Sequence, residues 1–190
     1  MSFTSKSVAS TTVGYMCLAL TGWMLSMPNA AWFPKLYGHG AAMTYPLGIV
    51  LVVMGILSFG QSRALDAVIF FGGAGLFWSD YSYYTSTAFS SSAEPSTYAG
   101  WYAFVWTVFF CYVWLGSFKS GLLRMLFLLG LWLTLLALAI GNWASLHSFV
   151  VLGGYLGLIT SILAAITSAK DVISHGIKAS DPNVELAKAS

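Results

Sequence analysis

The sequence predicts an all-α, polytopic membrane protein with six transmembrane helices. Three observations carry that prediction. Only 7% of the 190 residues are charged, against about 25% in soluble domains. Hydrophobic residues make up 58% of the chain, and the mean hydropathy is +0.78. The 8 Lys and Arg and 6 Asp and Glu lie between long uncharged runs rather than through them. So few charges cannot cover a water-facing surface, which excludes an ordinary soluble enzyme, a nucleic-acid binder and a disordered chain. The lipid bilayer is the partner that the composition implies.

A helix that crosses the hydrocarbon core needs about 20 mostly apolar residues, and charges mark where such runs stop. Residues 7–34 and 36–62 are uncharged, which predicts helices over 11–29 and 42–60. The stretch from Ala64 to Ser86 contains Asp66 and Asp80, but its centre, Val68 to Trp78, is apolar enough for a third span over 65–84. Residues 95–118 supply the fourth, over 98–118. The 45 uncharged residues from Met125 to Ala169 suffice for two spans and a turn. The break falls between Gly141-Asn142 and His147-Ser148, giving helices over 122–141 and 148–170. None of these runs alternates as a membrane barrel strand does.

The positive-inside rule orients the chain with both termini in the cytoplasm of a cell membrane. Lys6, Arg63, Lys119, Arg124, Lys170, Lys178 and Lys188 then lie inside, and Lys35 alone outside. The first span reads as a retained anchor, because no small-x-small cleavage site precedes Trp32. Residues 1–10 and 171–190 read as short cytoplasmic tails flanking one transmembrane domain, 11–170.

Enzyme chemistry finds little here. The six acids are scattered, and His39, His147 and His175 fall at helix ends without metal spacing. Cys17 and Cys111 stand alone in apolar runs. Gly72-Gly73-x-Gly75 and Gly153-Gly154-x-x-Gly157 lack the strand and Lys-Ser/Thr of a phosphate loop. They read as close-packing faces or as pore wall. No catalytic residue, metal or cofactor is expected. Asp80 is the ionisable residue that falls within a span, about 21 Å from Asp66 along the helix. It reads either as a proton-sensing group or as an interfacial residue reaching water beside Tyr81, Tyr83 and Tyr84. The dense aromatics read as interfacial belts, with Trp78, Tyr102, Trp106 and Trp132 as candidates for a constriction.

The second half resembles a known family. Tyr98-x-Gly100-x-Tyr102, Trp106 and Gly116-Ser117-Phe118-Lys119 are similar to helix four and its exit in the acetate/succinate permeases, small six-helix acetate uptake transporters. The likeness continues through Leu131, the run Leu136 to Asn142, and Gly154-Tyr155-Leu156-Gly157. Gly75-Leu76-Phe77-Trp78 resembles the family's helix-three motif. The similarity covers about 60–170. The family's Asn-Pro-Ala-Pro-Leu-Gly-Leu at the start of helix one is missing, Ser10 to Tyr15 standing in its place. Pro46-Leu47-Gly48 echoes it in helix two.

The resemblance implies a narrow hydrophobic waist in each protomer of a ring-shaped homo-oligomer, typically a hexamer. It assigns the constriction to Tyr98, Tyr102 and Leu131, and a small pore-facing position to Ala164. Asn142 falls on the same path. The expected function is a channel or transporter for small monocarboxylates such as acetate, with succinate as a further substrate. The solute would pass with a proton or as the neutral acid, because an ionised carboxylate in a dry waist loses its hydration. Two alternatives stand beside it: a channel for a neutral solute such as urea, an amide or ammonia, and a non-transporting scaffold or sensor that kept the fold.

Overall fold

Each apolar run folds as a helix, and the charged and turn-forming residues separate them: α1 (Phe3–Asn29), α2 (Tyr37–Gly60), α3 (Ala64–Phe89), α4 (Ser96–Gly116), α5 (Leu122–Trp143) and α6 (His147–Ala179). The computed structural model describes residues 3–33, 37–89 and 96–179, with side chains over 10–33, 42–83 and 97–174. Lys6, Lys35, His39, Tyr84, His175, Lys178 and Lys188 lie outside the described side chains. There is no strand among the described residues.

Two expected boundaries shift at the ends of the chain. α1 already runs through residues 3–10, and α6 continues to Ala179, past the expected limit at 170. The first shift has a packing cause. Ser10 and Thr11 are buried, and Ser10 Oγ reaches Gln61 Oε1 at 3.3 Å, so the polar start of α1 is held against the α2–α3 turn. Pro46 lies inside α2, where the sequence reading put it.

The outer surface is apolar, and small polar side chains are buried among the apolar core residues. Phe59, Leu122, Val105 and Met43 are each 60% or more exposed, whereas Thr21, Thr44, Ser58 and Ser117 are fully buried. Buried hydroxyls return to the carbonyl one turn back: Thr21 to Cys17, Thr107 to Ala103, Thr134 to Gly130, Thr160 to Leu156 and Ser161 to Gly157, all at 2.7–2.8 Å. Such back-bonding satisfies the hydroxyl where no water is at hand. Four helices, α2, α4, α5 and α6, are long and apolar enough to cross a membrane by length and composition. α1 and α3 fall short of that measure because they carry more polar residues, and several of these, Ser10, Thr11, Thr21, Ser26 and Asp66, are buried in the bundle.

The helices close a ring. α1 packs on α2 and α6, α5 on α4 and α6, and α2 on α3. α3 and α4 lie further apart, and aromatic side chains bridge them. Phe109 seats on Gly72 and Trp106 on Gly75. Trp106, Phe109 and Phe110 pack on one another with centroids 4.9–6.1 Å apart. Gly153 and Gly154 likewise receive neighbours, Leu138 and the backbone of Asn29 and Ala30. The glycine stretches are therefore mainly packing faces, although Gly73 and Gly157 also border a cavity.

Three helix ends share one closure. Trp32, Arg63 and Leu146 donate their N–H groups to carbonyls five residues back, at 2.8–3.1 Å. The turn residues Ala31, Ser62 and Ser145 hold φ of 62°, 59° and 53°. This is the Schellman arrangement, which favours glycine at the left-handed position. Side chains there cost about 1 kcal/mol. Ser62→Gly and Ser145→Gly are expected to raise stability by about 0.5–1 kcal/mol each, readable as a higher unfolding temperature in detergent.

Candidate functional site

Helical spacing on five of the six helices brings one stripe of each to the bundle axis. α1 contributes Leu18, Gly22, Leu25, Ser26 and Asn29, and α5 contributes Phe127, Leu131, Thr134, Leu138 and Asn142. The steps of three and four residues keep each set on one face. α3 adds Gly73, Phe77, Asp80 and Tyr83, α4 adds Tyr102, Ala103 and Phe110, and α6 adds Gly157, Thr160 and Ser161. They enclose an axial cavity of about 130 Å³, room for a few waters or one small molecule. Phe127 and Asn142 are 15 residues apart, so the lined stretch is about 22 Å long. α2 stands outside it.

The wall changes character along its length. At one end Asn29, Asn142, Asp80, Tyr83 and Tyr102 come together. Small hydroxyls, Ser26, Thr134, Thr160 and Ser161, line the middle beside Leu131. The other end is dry: Leu18, Phe110 and Phe127. Behind Phe127 the fully buried Tyr15 packs edge-on against Phe70 and Phe127, both at 5.6 Å. The Arg124 guanidinium covers the Tyr15 ring at 5.7 Å. Arg124 in turn pairs with Asp66 at 3.5 Å, and Asp66 also pairs closely with Arg63. An aromatic layer and then a three-membered ion cluster thus seal this end.

Tyrosines organise the polar end. Tyr98 and Tyr102, one turn apart on α4, each stack with Tyr83, with centroids at 5.9 and 6.2 Å. The Tyr102 hydroxyl donates to the Leu76 carbonyl at 3.1 Å and meets Ser79 Oγ at 2.8 Å. It also lies within hydrogen-bonding reach of the Asp80 carboxylate. Asn29 and Asn142 each donate an amide N–H to the carbonyl one turn back, at 3.0 and 2.8 Å. No Lys, Arg or His lines the cavity among the described residues.

Of the residues expected along the solute path, Tyr102, Leu131, Asn142 and Asp80 line the cavity together, whereas Tyr98, Trp78, Trp106, Trp132 and Ala164 do not. Tyr98 is 55% exposed and reaches the site only through its stack on Tyr83. Trp78 faces α2, its indole N–H donating to the Tyr45 carbonyl at 3.2 Å over Gly48. Trp106 turns to the outer groove between α3 and α4. Trp132 packs on Trp114. Ala164 is fully buried in the apolar core, one turn beyond the hydroxyls of Thr160 and Ser161. The Asn29, Ser26, Thr134, Thr160 and Ser161 positions were missed. Their signal was small polar residues spaced three or four apart inside apolar runs.

A solved structure carries this same arrangement of helices. It superposes on 88% of this chain and 93% of its own with a TM-score of 0.80, at 20% sequence identity, and is that of the bacterial acetate channel SatP. The chain has the SatP fold. No protein-family model matches the sequence, and no curated protein does.

Proposed function

We propose that this protein is a member of the acetate/succinate permease family and conducts small monocarboxylates of the acetate type across a cell membrane, along the axial cavity. The observation that carries the reading is a hydroxyl- and amide-lined cavity, without a fixed cation on its described wall, inside a fold shared with an acetate channel. All six helices cross the bilayer in this reading. Both termini are cytoplasmic, because Arg63, Lys119, Arg124 and Lys170 then lie on the inner side. The protomers assemble into a ring, as the family resemblance implies.

In this path Asn29, Asn142 and Tyr102 receive the solute, Thr134, Thr160 and Ser161 offer hydrogen bonds, and Leu131 narrows the passage. Phe110 and Phe127 form a dry gate that must part for the solute to leave. Such a gate strips water from its cargo, which penalises an ion far more than a neutral acid. The acid therefore passes with its proton. A simple carboxylic acid titrates near pH 4–5, and above that its neutral fraction falls tenfold per pH unit. Uptake is expected to drop as external pH rises, by up to about a hundredfold over two units.

Proteoliposomes with an internal pH indicator test the reading by stopped flow. An inward acetate gradient is expected to acidify the lumen faster than in protein-free vesicles, increasingly so at acid external pH. A urea gradient is expected to give no protein-dependent swelling. Fast urea flux with no acetate effect would overturn the carboxylate reading in favour of a neutral solute. No flux of either would favour a non-transporting role.

A further inference from the structure

Asp80 stands out once the cavity wall is complete. It is half-buried and lines the cavity. Its surroundings supply no opposite charge among the described residues. From its own helix Tyr83 faces the cavity, and from α4 Tyr102. From α1 and α5 come the amides of Asn29 and Asn142, and from α6 the hydroxyls of Thr160 and Ser161. The nearest described guanidiniums, Arg63 and Arg124, are engaged with Asp66 near the far end of α3, about 21 Å away along the helix. A carboxylate at the polar end of a path for carboxylates is therefore unexpected: it repels the ionised solute at the place where the solute must settle.

The repulsion disappears when the pair holds one proton. A carboxylic acid can donate its O–H to a carboxylate oxygen, and two carboxyl groups held together share a proton readily. We infer that Asp80 is the specificity-determining residue that admits the solute only as its protonated acid, by forming a carboxyl–carboxylate pair at the polar end of the axial cavity. The inference rests on the function proposed above. The proton belongs to the incoming acid and leaves with it, so no charge crosses and Asp80 is unchanged after each passage.

The test begins with the wild-type protein in proteoliposomes. Acetamide, a neutral mimic of the acid, is expected to compete with acetate uptake at both acid and neutral pH. Trifluoroacetate, which stays ionised, is expected neither to compete nor to be carried at neutral pH. Asp80→Asn then removes the like charge. In that variant trifluoroacetate is expected to compete with acetate at neutral pH, while flux stays electroneutral because the dry gate of Phe110 and Phe127 still bars the ion. Asp80→Glu is expected to keep the wild-type profile. Trifluoroacetate competing in the wild type at neutral pH, or failing to compete in a folded Asp80→Asn protein that still carries acetate, would overturn the inference. Absence of acetate flux in the wild type would instead overturn the proposed function.

Discussion

Gly154→Val is expected to lower stability by more than about 3 kcal/mol, enough to prevent recovery of folded protein from the membrane. A Cβ at this position would overlap the backbone of Asn29 and Ala30. Backbone cannot swing aside as a side chain can, and here it is doubly fixed. Ala30 is 3% exposed, and the turn that follows is closed by the Trp32 N–H on the Met27 carbonyl at 3.1 Å. Relief would require α1 and α6 to separate, opening the cavity between Ser26 and Gly157. The control is Gly116→Ala, where the added methyl meets nothing within 4 Å. That variant is expected to match wild type or gain up to about 1 kcal/mol from helix propensity. Thermal unfolding in detergent, read by tryptophan fluorescence, compares the two, and a Gly154→Val protein as stable as wild type would show that the α1–α6 contact is wrongly described.

Asp66→Ala is expected to cost about 3–5 kcal/mol, the range for breaking a buried ion pair by removing one partner. The Asp66 side chain is 4% exposed and touches both Arg63 and Arg124, which keep about a quarter of their surface. Without it two guanidiniums face each other beneath the Tyr15–Phe127 layer. Their partial exposure puts the loss toward the lower end of that range. Added salt is not expected to restore the stability, since counter-ions reach a buried pair poorly. Asp66→Asn, which keeps the shape and loses the charge, is expected to be intermediate. A negligible loss for Asp66→Ala would mean that the cluster does not hold α3 to α5.

The six helices were legible because charge placement and apolar length determine where a chain can cross oil. Lys35, Arg63, Glu94 and Lys119 punctuate the runs, and the helices begin and end near them. The chain termini were less legible. Ser- and Thr-rich residues 3–10 look like a solvated tail, yet they fold in α1, and Ser10 at the end of that stretch contacts Gln61. For the cavity, residue type was a better guide than resemblance where polarity was concerned. Asp80, Asn142 and Tyr102 carry groups that oil will not solvate, so they turn inward. Trp78, Trp106 and Ala164 have no such constraint. Their faces are decided by neighbours, Gly48 on α2, Gly75 on α3 and the core around Phe127, that no single run reveals.

The hydroxyls of α5 and α6 illustrate the remaining gap. Thr134, Thr160 and Ser161 sit in runs so apolar that each looks incidental alone. Their common aim at one axis emerges only when α5 packs on α6 with Thr160 against Gly130.

The most direct measurement is uptake of radiolabelled acetate into proteoliposomes, at an external pH of about 5.5, by wild type and by Leu131→Trp. Leu131 borders the cavity midway along α5, so an indole there fills the passage while the fold, checked by unfolding temperature, is kept. Wild-type uptake is expected to exceed that of protein-free vesicles, and the plugged variant to fall back to the vesicle baseline. Equal uptake by a folded Leu131→Trp protein and wild type would contradict passage through the axial cavity.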